Sequence, residues 1–196
     1  MSLDADLPPL ETPNPKGRKS SKRAFIEWAV VVVVAVLASL LLRTFAFQTF
    51  YIPSASMQPT LYEGNRIVVD KLSVTFGTIN RGDIVVFKAP PKVVTECGDP
   101  VADLVKRVIG LPGDHLTSKG NTIYVNGKIL HQNWSHNTPI GPTPIGNVTV
   151  PKGQYFMMGD NHADSCDSRS WGTVPRSDII GKVFFKIWPL SALTWY

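Results

Sequence analysis

Apolar positions fall into two regimes along the chain. From Ala24 to Leu42 the sequence reads AFIEWAVVVVVAVLASLLL, with Glu27 as its only charge. At 1.5 Å per residue these positions rise about 28 Å, close to the hydrocarbon thickness of a bilayer. The Val30–Val34 run is β-branched and would suit a buried strand in water. The apolar stretch continues too far for a strand, however, and a single segment satisfies its backbone in lipid only as a helix. The pattern therefore predicts one transmembrane helix over 24–43. Beyond it, apolar residues come in short β-branched or aromatic bursts bounded by Gly, Pro or Asp: Arg66–Asp70, Asp83–Phe87, Leu104–Ile109, Gln154–Met158 and Lys182–Trp188. No segment there sustains a helical period. Ile123–Leu130 has Asn126-Gly127 at its centre, the pair that accepts the positive φ angles of a type I′ turn, and predicts a hairpin. The expected fold is mainly β: an antiparallel β-sheet catalytic region preceded by one N-terminal transmembrane helix.

Three zones follow. Residues 1–23 are rich in Pro, Ser, Lys and Asp with few large apolar groups, and are expected to form a disordered tail because they cannot bury enough surface to offset ordering. Residues 24–43 form the anchor. Residues 44–196 suffice for one core or two small lobes, with 115–153 as a smaller lobe or excursion, since His131–Pro151 holds four prolines and little periodicity. Lys16, Arg18, Lys19, Lys22 and Arg23 precede the span, whereas Arg43 is the only basic residue between it and Arg66. This bias keeps the N-terminus cytoplasmic and puts everything after the span outside. A cleavable signal sequence is the alternative, but the apolar core is longer than the usual ~7–15 residues and ends in Leu40-Leu41-Leu42-Arg43 without a small-x-small site. The net charge of +5 and the pI near 9.3 fit attraction to anionic headgroups. No nucleic-acid motif or aromatic-interleaved basic stripe accompanies the charge, so nucleic acid is not expected as a partner.

The chemistry begins at Pro53-Ser54-Ala55-Ser56-Met57-Gln58-Pro59-Thr60-Leu61, about ten residues past the span, where a hydroxyl would work at the membrane surface. A serine nucleophile needs a base, and His, Lys, Asp and Glu are all candidates. Lys106 lies inside the apolar run Asp103–Gly110, and strict alternation puts it on one face with Leu104 and Val108. An amine aimed at such a face loses hydration, which lowers its pKa and leaves it free to take a proton. The alternative is an edge-strand lysine directed to solvent. Ser54, taken alone, reads as a turn residue bonding nearby backbone. Cys97 and Cys166 both lie on the external side, where a disulfide persists, but two free thiols are equally compatible with their spacing. His115, His131 and His136 show no ligand spacing and neither HExxH nor CxxC occurs, so neither metal nor cofactor is expected.

Several blocks together resemble the bacterial type I signal peptidases, membrane-anchored Ser/Lys endopeptidases. They are Ile52–Leu61, Arg81-Gly82-Asp83-Ile84-Val85-Val86-Phe87, Lys106-Arg107-Val108-Ile109-Gly110-Leu111-Pro112-Gly113-Asp114, Met158-Gly159-Asp160-Asn161 and Asp164–Pro175, in that order. The resemblance implies Ser56 as nucleophile and Lys106 as general base. It implies an oxyanion hole from the Ser54 hydroxyl and the Ser56 backbone N–H, and Ser165 as the hydroxyl that orients the lysine. Asp167 and Arg169 resemble a structural ion pair near the site, although a solvated pair fits the sequence equally well. The chain departs from the family after Asn161: where relatives commonly continue Arg-Asp-x-Ser, it has His162-Ala163-Asp164-Ser165. His162 stands among Asp160, Asp164 and Asp167, so a histidine triad is the rival. Relatives of eukaryotic membranes carry His where the lysine stands, but this chain has Lys106.

The implied activity is removal of signal peptides from exported preproteins at the bacterial plasma membrane, cutting after Ala-x-Ala patterns held as a strand beside a sheet edge. The implied partners are those preproteins and the lipid bilayer. Phe45–Ile52 is too apolar for a solvated linker and is expected either to pack on the core or to touch the interface. Two other classes compete: a non-catalytic membrane-anchored β module or degenerate homologue that binds export partners, and the soluble self-cleaving repressors, which would need a DNA-binding domain.

Overall fold

The computed structural model describes residues 21–134, 139–141 and 143–196. The expected tail lies, up to residue 20, outside the described residues. The chain divides into two compact units, one ending at Leu41 and the other running from Leu42 to Tyr196. Helix α1 spans Ser21–Ala46, three residues beyond the predicted span at each end, and its Lys22–Leu41 stretch is long and apolar enough to cross a bilayer. The valines and leucines of this stretch stand more than half exposed, as side chains facing lipid must.

The second unit contains β1 (Phe47–Tyr51), β2 (Arg66–Asp70), α2 (Leu72–Phe76), β3 (Ile84–Lys88), α3 (Lys92–Cys97), β4 (Asp103–Gly110), β5 (His115–Lys119) and β6 (Thr122–Val125). It continues with β7 (Lys128–Ile129), β8 (Val148–Thr149), β9 (Gln154–Met158), α4 (Ser168–Trp171), β10 (Val174–Pro175), β11 (Ile179–Trp188) and β12 (Thr194–Trp195). Among the described residues these strands build two antiparallel sheets. The larger runs β1-β2-β11-β3-β4-β9-β10 with β12 on β11, and the smaller runs β7-β6-β5-β8. All five strands expected from apolar bursts are present as β2, β3, β4, β9 and β11. Three short helices, α2, α3 and α4, also follow the span; at four to six residues they are too short to sustain a helical period.

β3 explains why the large sheet is filled on both sides. Its run Ile84-Val85-Val86-Phe87 is wholly buried, which places it centrally, between β11 and β4. Val85 and Phe87 enter one cluster with Val108, Met157, Trp171 and Val174. Ile84 and Val86 point the opposite way, into a second cluster with Ile52, Met57, Leu61, Ile67 and Val69. Each such side chain contributes about 1.5–3 kcal/mol by leaving water. A third cluster joins Leu116, Ile123 and Val150 of the 115–153 region to Ile109, Phe156 and Met158 of β4 and β9. The hairpin forms as expected, with φ of 51° at Asn126 and 78° at Gly127 between the pairs Val125↔Lys128 and Tyr124↔Ile129.

Of the apolar stretch after the span, Ile52 is buried, while Phe47 and Tyr51 of β1 are exposed at 45% and 60%. Phe47 stacks on Phe184 at 5.4 Å, and Phe184 and Phe185 both lie against Trp195. The stretch thus divides between outward display along β1 and packing at Ile52 just beyond it.

Candidate active site

Ser56 stands in a single 3-10 turn, Ala55–Met57, entered from an extended Ser54. The turn is fixed from both ends. Met57 and Leu61 are buried in the second cluster, and the Leu61 N–H donates to the Met57 carbonyl. From the opposite side Asn161 holds the backbone: its N–H donates to the Ser56 carbonyl at 3.1 Å, and its Nδ2 donates to the Ala55 carbonyl at 3.3 Å.

β4 delivers Lys106. Its neighbours two residues away, Leu104 and Val108, pack with the Phe87 cluster, so alternation turns the lysine inward, the first of the two orientations the sequence pattern allows. Lys106 is 3% exposed, which excludes the solvent-directed alternative, and its Nζ lies 2.6 Å from Ser56 Oγ. Burial pushes the amine down from its usual 10.5 to about 8. Arg169 acts in the same direction, while Asp167, Asp160 and Asp164 pull back. At pH 7 about one molecule in ten then carries the neutral amine, against fewer than one in a thousand for an unshifted lysine.

The other expected residues gather nearby, with one difference. Ser54 Oγ lies 3.4 Å from Ser56 Oγ. Ser165 Oγ is buried and lacks a hydrogen-bond partner among the described residues, so it makes no bond to the Lys106 amine here. Its place is fixed by Gly159, where a Cβ would collide with the Ser56 carbonyl oxygen and with the Ser165 side chain. Only a glycine lets these two strands of the site come so close. Asp167 and Arg169 are not a solvated pair. They are buried and bidentate, with Nε to Oδ1 and Nη2 to Oδ2 both at 2.8 Å. Asp167 also caps α4 by accepting from the Arg169 N–H. The Arg169 guanidinium further donates to the carbonyls of Ile140, Thr143, His162 and Ser165, stapling the irregular excursion to the site.

Arg107 has no role in the sequence pattern, whereas a Cys97–Cys166 disulfide and a His162 triad are alternatives it leaves open. Arg107, on the opposite face of β4 from Lys106, forms a second buried bidentate pair with Asp160, at 2.8 and 2.7 Å. Trp134 covers its guanidinium at 4.6 Å. The signal was a Lys-Arg pair inside an apolar strand, where alternation must bury one cation on each face and each demands a partner. Cys97 and Cys166 are joined as a disulfide, with Cα atoms 6.0 Å apart, linking α3 to the segment bearing Ser165. His162 is 2% exposed and its two ring nitrogens engage the Gly159 carbonyl and Gln132 rather than Ser56, which removes the histidine triad. Among the described residues no group of three His, Cys, Asp or Glu converges to hold a metal.

Beside Ser56 opens a cavity of about 270 Å³, walled by Tyr51–Ser54, Met57 and Val86 on one side and by Asp99, Val101 and Asp103–Val105 on the other. β4 pairs with β3 along 103–107 but with β9 only from Arg107 onward, so among the described residues the Asp103–Lys106 stretch carries no ladder on the edge away from β3. The lining is mostly apolar and includes Ser54 and Ser56.

Residues 25–188 match the family model described as signal peptidase, peptidase S26. Similar proteins include a signal peptidase I from Leptolyngbya laminosa, 35% identical and covering 98% of this chain and 96% of that one. A probable signal peptidase I-2 from Synechocystis is 37% identical over 89% of this chain and 78% of its own length. Signal peptidase I T of Bacillus subtilis is 35% identical over 91% of this chain and 93% of its own. With the family model spanning most of the chain and these relatives aligned almost end to end, the chain belongs to the signal peptidase family, peptidase S26.

Proposed function

We infer that this chain is a membrane-anchored signal peptidase I, a serine endopeptidase that removes N-terminal signal peptides from exported preproteins by a Ser/Lys dyad. Family membership supports the reaction class. The observation that carries the mechanism is the 2.6 Å approach of a buried Lys106 amine to Ser56 Oγ. Neutral Lys106 takes the Ser56 proton as Oγ attacks the carbonyl carbon before the cut, and then gives that proton to the departing amine. Water, deprotonated in turn by Lys106, hydrolyses the ester and frees Ser56. The negative oxygen of each tetrahedral intermediate is met by the Ser56 N–H and the Ser54 hydroxyl, and losing one such donor typically costs about 10²–10³ in turnover. Ser165, whose buried hydroxyl has no partner among the described residues, would orient the amine on rotating toward it, as a neutral group that does not restore the charge.

The substrate lies extended along the open edge of β4, its backbone bonding Asp103–Lys106 while alternate side chains enter the cavity. The cavity of about 270 Å³ that Ser54 and Ser56 help to line has room only for small groups beside the nucleophile, hence the Ala-x-Ala pattern. The basic residues before the span place the N-terminus in the cytoplasm and the second unit outside a bacterial plasma membrane. β1 follows α1 directly, so chain length alone holds the exposed Phe47 and its aromatic neighbours within reach of the lipid interface.

Cleavage of a preprotein bearing an Ala-x-Ala site, in detergent or vesicles, tests the reading. Wild type processes it, and Ser56→Ala or Lys106→Ala lowers the rate by roughly 10⁴ or more. Equal processing by all three proteins eliminates the dyad.

A further inference from the structure

His162 is a buried titratable side chain that the dyad does not use, and it occupies the position where this chain departs from its family's usual pattern. Its Nδ1 lies 2.8 Å from the Gly159 carbonyl oxygen. A carbonyl only accepts, so Nδ1 carries the hydrogen and the ring donates to Gly159. Nε2 lies 3.0 Å from the Gln132 side-chain amide, in the segment that follows β7. That amide can present either end: its NH₂ donates to Nε2 of a neutral ring, and its oxygen accepts from a protonated one. The grip on Gly159 is therefore the same in both protonation states. Burial holds the ring toward its neutral form, as does the Arg169 guanidinium that donates to the His162 carbonyl, against the opposite pull of Gly159, Asp167 and Asp160.

Gly159 sits where all parts of the site meet. Its N–H donates to Asp167 at 3.3 Å, and its bare Cα is pressed against the Ser56 carbonyl and the Ser165 side chain. The next two residues hold the site from behind. Asp160 binds Arg107, the strand neighbour of Lys106, and Asn161 donates twice to the backbone of the Ser56 turn. The Gly159 carbonyl is one bond from that Cα, so a shift of this peptide is passed to a contact that has no room for even a methyl group between Gly159, Ser56 and Ser165.

We propose that His162 is a positioning residue for the peptidase reaction, clamping the Gly159 carbonyl through Nδ1 while Gln132 fixes the ring through Nε2, so that the Gly159–Ser165 segment holds Ser56 at bonding distance from Lys106. The proposal rests on the dyad reading above and adds to it a residue outside the reacting atoms. It predicts a loss confined to turnover, because His162 lies off the cavity that receives the peptide.

The two ring nitrogens can be replaced one at a time. Asn puts an amide nitrogen near the place of Nδ1 and keeps the clamp; Gln puts one near the place of Nε2 and loses it. Full-length His162→Asn, His162→Gln and His162→Ala are assayed in detergent on an Ala-x-Ala preprotein, with kcat normalised to the serine titrated by an acylating peptide probe so that misfolded molecules do not count. The Gln and Ala variants lose on the order of tenfold or more in kcat with KM nearly unchanged, and the Asn variant recovers most of that loss. Gln132→Ala, which leaves the Gly159 bond intact, loses less than the Gln variant of His162. Equal kcat for the Asn and Gln variants, wild-type kcat in the Gln variant, or a loss carried by KM overturns the clamp. Ser56→Ala in the same assay separates the two claims: if it still cleaves, the dyad reading fails, whereas a dead Ser56→Ala beside an unaffected His162→Gln sinks only the clamp.

Discussion

Lys106 stands on a strand laddered to β3 along 103–107, whereas Ser165 and Asp167 stand on the unladdered segment between β9 and α4, and Arg169 in the first turn of α4. The lysine is aimed by alternation, a property that each residue of β4 shares with its neighbours. The segment opposite it is held by discrete links instead: the Asp167–Arg169 pair, the four carbonyls bonded by Arg169, the disulfide to α3 and the ring of His162. Half of the site is thus built from regular geometry that tolerates change at any one surface position. The other half is built from individual bonds, and each is a point of failure. Substitutions on the two sides should differ accordingly.

The largest effect falls on the strand side, and there function and stability part company. Lys106→Met removes the base and lowers cleavage by about 10⁴, yet it should stabilise the protein. The amine is depressed to about 8 in the fold and returns to 10.5 on unfolding, so the stability it contributes is present above 10.5 and is lost as pH falls to about 8. At pH 7 the whole penalty, about 3 kcal/mol at most, is in force, and the methionine relieves part or all of it. Denaturant unfolding of the full chain in detergent at pH 7 measures the gain; a loss would mean that the amine is not desolvated.

On the loop side stability goes first. Asp167→Asn leaves the Arg169 guanidinium buried without its carboxylate and should cost about 3–5 kcal/mol by denaturant unfolding. Because Asp167 pulls the lysine upward, the same variant should move the acid limb of activity to lower pH. Replacing both cysteines by alanine opens a closed loop with a sequence separation of 69 residues and should cost about 2–4 kcal/mol, with turnover at 25 °C changed by less than about tenfold. The smallest effect is expected at Ser165→Ala: about tenfold in kcat from a poorly aimed amine, with stability within about 1 kcal/mol of wild type, since the hydroxyl makes no bond among the described residues. A large loss of stability there would show that the hydroxyl is a structural anchor.

The same division governed what the sequence disclosed. β2, β3, β4, β9 and β11 are legible because their apolar bursts reflect burial on one or both faces, and the Asn126-Gly127 hairpin is legible because its turn dictates residue type. β5, β8, β10 and β12 were not read as strands: they are short or mixed in polarity, and three of them are two residues long. The direction of Lys106 followed from alternation, but its distance from Ser56 depends on how β4 and the Ala55–Met57 turn meet across fifty residues, which no local pattern encodes. Ser54, Ser165, Asp167 and Arg169 were placed by resemblance to a family rather than by any pattern of their own. The Arg107–Asp160 pair escaped assignment because it is a long-range pairing whose second member looks ordinary in sequence, and the disulfide stayed open because spacing alone does not show that Cys97 and Cys166 meet.

The account turns on a lysine that is uncharged when it meets Ser56, and the pH dependence of kcat/KM for cleavage of an Ala-x-Ala preprotein tests this most directly. Burial of Lys106 predicts a plateau above about pH 8 and a tenfold fall for each pH unit below it. A profile that is flat through pH 6, or that breaks near 10.5 as an ordinary amine would, contradicts it.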